Sequence, residues 1–181
     1  MTIFFTADTH FGHEKAINYL HEGKKIRPWT STKEQDDLLI ARWNERITDQ
    51  DTVYHVGDVY DEGMSDVMKQ LKGNKILIRG NLDTGPTEEY QQYFSEVYNN
   101  HHIIELEKKK ILLSHYYVTK EELDENKCSV NIHGHLHADC VQDPRYFCVS
   151  LERTNFYPIT SDELLMQLRE NQLKFIKNIK F

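Results

Sequence analysis

Long apolar runs are missing from this chain. No stretch approaches the roughly 20 consecutive apolar residues of a membrane span. The opening MTIFFTADTH has neither the basic leader nor the apolar length of a signal peptide. Cysteine is scarce: Cys128, Cys140 and Cys148 are odd in number and show no CxxC spacing. That pattern predicts unpaired, buried thiols in a reducing compartment, and the expected location is the cytoplasm. Positive charge is short, with 22 Lys and Arg against 29 Asp and Glu and a net charge of −7. Phosphate backbones are gripped by basic surface, so long DNA or RNA is not an expected partner. A small phosphorylated or nucleotide substrate stays open, provided the site itself supplies positive charge. The sequence has no internal repeat, low-complexity tract or linker. Its 181 residues predict one domain over 1–181, large enough to bury roughly 70% of its unfolded surface.

What is present is a set of short apolar runs rich in β-branched and aromatic residues. They fall at residues 3–7, 52–56, 75–79, 110–114, 128–132 and 146–151. Between them lie segments with helical spacing. Over 32–47, Leu38, Leu39, Trp43 and Ile47 repeat at i, i+4, and Ser31 with Glu34 forms a capping box. Thr160 and Glu163 repeat that signature before a C-terminal helix striped by Leu164, Leu165, Leu168 and Leu173. Segments 61–72 and 87–98 are also expected as helices. Strands alternating with helices predict an α/β domain, with an antiparallel or mixed second half where connections shorten.

The residues that follow the strands form a second pattern. Asp8-Thr9-His10 follows the first, Gly57-Asp58 the second, Gly80-Asn81-Leu82-Asp83 the third, His115 the fourth and NIHGHLH (131–137) the fifth. In open α/β sheets ligands collect at the carboxyl ends of strands. Alternate histidines on an extended segment share one face, so the histidines of this stretch are expected as one wall of a site. His133, which precedes the glycine and lies on the strand, is expected as a core or supporting histidine rather than a ligand. The donors mix nitrogen and oxygen without thiolate, which suits Mn²⁺, Fe or Zn²⁺ better than Mg²⁺ or Ca²⁺.

The ordered set DxH, GD, GNxD, H and GHxH resembles the calcineurin-like metallophosphoesterase superfamily, over the chain from Asp8 to His137. DTHFGHEKAI, RPW, WNERI and VYHVGD are similar to segments of its small single-domain phage and bacterial members. The resemblance implies an αββα sandwich of mixed sheets flanked by helices. It also implies two divalent metals, Mn²⁺ favoured with Fe, Zn²⁺ or Ni²⁺ as alternatives, bridged by Asp58. One metal would take Asp8, His10 and His137, and the other Asn81, His115 and His135. The implied activity is phosphoester hydrolysis by a metal-bridging hydroxide, with a phosphodiester favoured over a monoester. Asp58 and Asn81 would be catalytic, and Asn81 would also bind phosphate.

Several residues carry alternatives. His13 is expected either to touch substrate or move a proton at a helix N-terminus, or simply to start that helix. Arg27 is the best-placed phosphate clamp, ahead of Arg79, for which an ion pair within the fold is equally in keeping. His55 is expected to be packed, and His101 and His102 to be exposed ahead of a strand. Trp29 could stack on a base or pack on the domain, and Asp83 is expected to orient a ligating histidine. Many relatives carry histidine at position 82 as the proton donor; Leu82 cannot serve. The rival reading is a non-catalytic metal-binding scaffold for a protein partner.

Overall fold

A computed structural model describes residues 1–61, 63 and 65–179. Its strands are β1 (Ile3–Thr6), β2 (Leu20–His21), β3 (Lys24–Lys25), β4 (Thr52–His55), β5 (Asn74–Ile78), β6 (Glu96–Tyr98), β7 (His101–Leu106), β8 (Lys109–Ser114), β9 (Val130–His133), β10 (Tyr146–Cys148) and β11 (Ile159–Thr160). Its α-helices are α1 (Thr32–Arg46), α2 (Thr87–Tyr90), α3 (Lys120–Glu125) and α4 (Ser161–Ile179). The larger sheet runs in the order β11-β1-β4-β5-β6, parallel except for β11. The second runs β10-β9-β8-β7, parallel except for β7 against β8. Both sheets are therefore mixed and flanked by helices.

Successive side chains of a strand point to opposite faces, and here both faces are buried. On β1, Phe4 packs outward with Leu39 and Trp43 of α1, while Phe5 packs inward between the sheets with Ile78, Ile111 and Leu113. On β8, Leu112 turns outward instead, to Leu123 of α3 and Tyr146. Strands buried on both faces have continuous apolar runs rather than alternation, as in KILLS and IFFTA. Truncating a side chain such as Trp43, 2% exposed, would cost about 3–5 kcal/mol.

The caps form with one variation. Glu163 N–H donates to Thr160 Oγ1 and the Glu163 carboxylate accepts from Thr160 N–H, closing the box that opens α4. At α1, Glu34 N–H donates to Ser31 Oγ, but the Glu34 carboxylate reaches back to Thr30 instead. Leu173 of α4 is 59% exposed, so the apolar stripe ends at Leu168. Cys128 and Cys148 are buried thiols, whereas Cys140 is exposed.

Two expected helices differ. Residues 87–98 form only the short α2, after which the chain turns and adds β6 alongside β5, pairing Leu77 with Val97. Tyr90 and Phe94 have helical spacing, but an open sheet edge overrides that local preference. Within 61–72 the described part is a 3₁₀ turn, Ser65–Gln70, and Glu62 and Met64 lie outside the described residues. His101 and His102 belong to β7 rather than preceding a strand, and His102 is half-buried, stacked 4.0 Å from the Tyr98 ring. No described helix is long and apolar enough to cross a membrane.

Candidate metal centre

Strands β1, β4 and β5 end in register, Thr6 beside His55 and His55 beside Leu77, and Ser114 ends β8 beside His133 of β9. The loops leaving these ends bring Asp8, His10, Asp58, Asn81, His115, His135 and His137 together. Asp8 Oδ1 lies 3.7 Å from His10 Nε2 and 4.0 Å from His137 Nε2. Asp58 Oδ2 lies between His115 Nε2, at 3.4 Å, and His10 Nε2, at 3.9 Å. Asn81 Oδ1 is 3.0 Å from His115 Nε2. The His135 ring centroid is 5.2 Å from that of His115.

The backbone must bend sharply to do this. Asp8, His10, Asp58, His135 and His137 all have positive φ, between 50° and 66°. Non-glycine residues rarely adopt this conformation, and its clustering at one place marks stored strain. Glycine is required at two points of close approach. A Cβ on Gly57, whose φ is +93°, would lie 2.6 Å from His115 Nδ1, and one on Gly80 would lie 2.2 Å from Asp58 Oδ1.

Two groups of donor atoms could each hold a cation: Asp8, His10 and His137, and Asp8, Asp58 and His115. Each group keeps its ligand atoms within 4.8 Å of one another. Asp8 Oδ1 and His10 Nε2 are fully buried and have no hydrogen-bond partner. Buried polar atoms are almost always paired, so two facing orphans at this distance fit an absent cation. Histidine tautomers support the same conclusion. His137 Nδ1 faces Glu152 Oε1 at 3.0 Å and His115 Nδ1 faces the Val56 carbonyl at 2.9 Å, which leaves each Nε2 lone pair for the centre.

Charge is balanced tightly without a metal. Burial pushes the Asp8 carboxyl up to about 6, against the pull of His115 and His137. Burial would depress His115, but its hydrogen bond to Asp58 and the charge of Asp8 lift it to about 9. Burial likewise opposes Asp58 ionisation, yet His115 holds its carboxyl below the usual range. Burial, then the nearby Arg27 guanidinium, keeps His10 neutral. A cation bound at Asp8, Asp58 and His115 would compete with a proton for His115 Nε2.

Arg27 was expected at the substrate and is not there. Its side chain is 0% exposed. The guanidinium donates to the Asp8 carbonyl at 2.5 Å, the Thr9 carbonyl at 3.1 Å, Gln35 Oε1 at 2.8 Å and Glu152 Oε1 at 2.7 Å. A phosphate cannot reach it; it clamps the Asp8–His10 turn from behind and ties that turn to Glu152, the partner of His137. Arg79 likewise spends its donors on the carbonyls of Asp83 and Gly85.

The three alternate histidines do not share a face. β9 ends at His133, which points outward with Asn131 and rests against the Gly134 carbonyl at 2.8 Å, while His135 and His137 turn in on left-handed backbone. Asp83 accepts the N–H groups of Asp58, Val59 and Gly80 at 2.7–3.0 Å, so it holds backbone rather than a histidine. No α-helix starts at His13; a 3₁₀ turn at Ala16–Asn18 follows, so no helix N-terminus is there to attract anions. The His13 ring sits 5.4 Å from that of His10, with Nδ1 3.9 Å from Asp61. His55 is buried with Nε2 2.9 Å from Thr9 Oγ1. Trp29 packs on Phe156 at 4.6 Å between ring centroids and does not stand open for a base.

Some contributors escape sequence reasoning. Ser150 Oγ donates to Asp8 Oδ2 at 2.7 Å, and the His135 N–H donates to the same oxygen at 3.0 Å. Tyr19 and Tyr116 border the centre, with ring centroids 5.0 Å from His137 and 4.3 Å from His135. None of the three sits in a motif, and only the fold makes them neighbours.

Comparison with known proteins agrees with this geometry. The chain is 29% identical to the uncharacterized protein MJ1445 of Methanocaldococcus jannaschii over 93% of its own length and 91% of that protein. It superposes on a protein of unknown function, AQ665 from Aquifex aeolicus, with a TM-score of 0.72 at 28% identity, covering 92% of this chain and 98% of that one. At the level of fold it resembles a novel archaeal phosphodiesterase, with a TM-score of 0.51 at 18% identity over 83% and 82% of the two chains. Residues 1–150 match the model of the calcineurin-like phosphoesterase superfamily domain, and the chain belongs to that superfamily.

Proposed function

We propose that the protein is a metal-dependent phosphodiesterase acting on a small phosphate diester. One observation carries the metal dependence: Asp8 Oδ1 and His10 Nε2 are buried, face one another and lack partners. Asp8, His10, Asp58, His115 and His137, with Asn81 and His135 at the open side, would hold two divalent cations. When bound, such a pair lowers the pKa of a water and neutralises phosphoryl oxygens. The mixed imidazole, amide and carboxylate donors favour Mn²⁺ among the candidates.

The chain's own residues do the rest. Asp58 lies between both halves of the cluster, its Oδ1 held by the Leu82 N–H at 2.9 Å. Asn81 turns Oδ1 to the centre beside His115 Nε2, which leaves its NH₂ to donate to a phosphoryl oxygen. The preference for a diester rests on charge. Arg79 is the one Lys or Arg among the described residues lining the two clefts at the centre, and carbonyls already occupy its guanidinium. A diester carries one negative charge where a monoester carries up to two, so it demands less positive charge from the site. Leu82, 39% exposed, supplies no proton; His13, its ring 5.4 Å from that of His10, and Tyr19, 5.8 Å from it, are side chains beside the centre able to do so.

The test measures nitrophenol release from bis(4-nitrophenyl) phosphate and from 4-nitrophenyl phosphate, with Mn²⁺ added and after chelation. Mn²⁺-dependent cleavage with the diester preferred is the expected result. Metal binding without cleavage of either ester would favour the scaffold, a reading to which the missing proton donor at Leu82 lends some weight.

A further inference from the structure

Two clefts of unlike character open from the centre and meet at Asn81, which lines both. One, of about 360 Å³, also touches Asp58, His135 and His137 and is walled by Tyr19, Leu20, Ile26, Leu82, Leu136 and Ala138. The other, of about 370 Å³, touches His115 and is walled by Asn99, Asn100, His101, Tyr116 and Thr119 among others. The first has mostly apolar walls above its polar floor, with His21 and Asp139 paired at its rim. The second is lined by the amides of Asn81, Asn99 and Asn100, the hydroxyls of Ser114 and Thr119, two imidazoles and Glu122, with Tyr116 as an aromatic plate.

Exposed large apolar side chains are few among the described residues, and away from Met1 they gather in two places. One group lies on α4; the other is Leu20, Leu82, Tyr116 and Tyr117, all at these cleft mouths. Leu20 is 64% exposed at the start of the small β2–β3 hairpin, which the sandwich does not require. Exposed apolar surface next to a polar centre has a physical use as ligand contact.

We infer that the substrate is a mixed phosphodiester, with an aromatic or other compact apolar group in the Leu20–Leu82 cleft and a polar, hydroxyl-bearing ring system such as a nucleoside in the Tyr116–Asn100 cleft. This rests on the diesterase reading given above. A phosphorus bearing two organic groups at Asn81 sends one arm into each cleft, whereas a monoester would fill only one. Hydrolysis adds one water across a single P–O bond. The water oxygen bonds to phosphorus, the ester bond breaks, and a proton ends on the departing oxygen or in solvent, leaving an alcohol and a monoester. The Tyr116 ring offers a face on which a base or sugar can stack, and the exposed amides flanking it can take its polar edge.

The experiment compares thymidine 5′-(4-nitrophenyl phosphate) with phenyl 4-nitrophenyl phosphate, each with Mn²⁺, for the wild type and for Leu20→Asp, Tyr116→Ala and Asn100→Ala. The nitrophenyl arm is common, and only the second arm differs. The wild type is expected to favour the thymidine ester by about tenfold in kcat/KM. Leu20→Asp should raise KM for both esters severalfold. Tyr116→Ala and Asn100→Ala should raise KM severalfold for the thymidine ester and much less for the phenyl ester. Release of nitrophenol from both esters with equal responses to Tyr116→Ala and Asn100→Ala would overturn the two-arm assignment and leave the diesterase reading standing. Release from neither ester would overturn both.

Discussion

The two sides of the centre are built differently. Asp8, His10 and Asp58 are at most 3% exposed, and the turn that carries the first two is bound from behind by Arg27, Gln35 and Ser150. Asn81 is exposed and His135 half-exposed, and beside them stand solvent-facing Leu82 and Tyr116. The buried side is finished before any ligand arrives, down to two orphaned atoms with a cation-sized gap between them. The open side is left for something to complete it. Such a division suits a catalyst, since one part must keep its geometry while the other admits and releases a substrate.

The largest expected effect lies where the two sides join. Asp58→Asn should reduce turnover on the order of 10³-fold, because charge stabilisation at a transferring phosphoryl group is worth several kcal/mol. Mass-spectrometric metal analysis should show lower occupancy, and wild-type activity in this variant would remove the proposed centre. Next comes the clamp. Arg27→Met leaves Glu152 and two carbonyls buried without their donor, and urea unfolding should show a loss of about 3–5 kcal/mol. Arg79→Met, whose partners are less buried, should cost clearly less; equal losses would erase the distinction drawn above.

A smaller effect depends on pH. Burial holds the His55 pKa down at about 3, against 6.5 when unfolded. The folded state therefore resists protonation that the unfolded chain accepts. Stability from this residue is whole above pH 6.5 and drains away as pH falls toward 3. Between pH 7 and pH 5 the wild type should lose about 2 kcal/mol more than His55→Gln, read from paired urea titrations. The smallest effect belongs to the open side. Leu82→His should raise turnover about tenfold on esters with poor leaving groups and hardly at all on nitrophenyl esters. A uniform change would mean that another group already donates the proton.

Much of this was legible beforehand for a definite reason. Strands buried on both faces advertise themselves as apolar runs, and the residues just past their ends fall where α/β sheets place their sites. What stayed hidden depends on partners distant in sequence. The β7–β8 hairpin turns on Glu107 and Lys108, both at positive φ, with no Gly or Asn to mark the turn. The strand β6 exists because β5 had a free edge. Arg27 looked like a ligand clamp because a lone guanidinium in a polar loop gives no sign that Glu152, 125 residues on, will neutralise it. The expectation of a shared face for the histidine triplet fails because period-two reasoning holds only while the strand lasts, and β9 ends at His133, which is buried as its place on the strand suggests.

The left-handed backbone at the centre has one more consequence. Asparagine tolerates that conformation better than most residues and carries no charge to desolvate. An Asp8→Asn chain would thus keep the same turn without a buried carboxylate, and the metal-free form should melt at a higher temperature. Durability and chemistry pull in opposite directions at this residue, and an acidic side chain persists there at the expense of the resting fold.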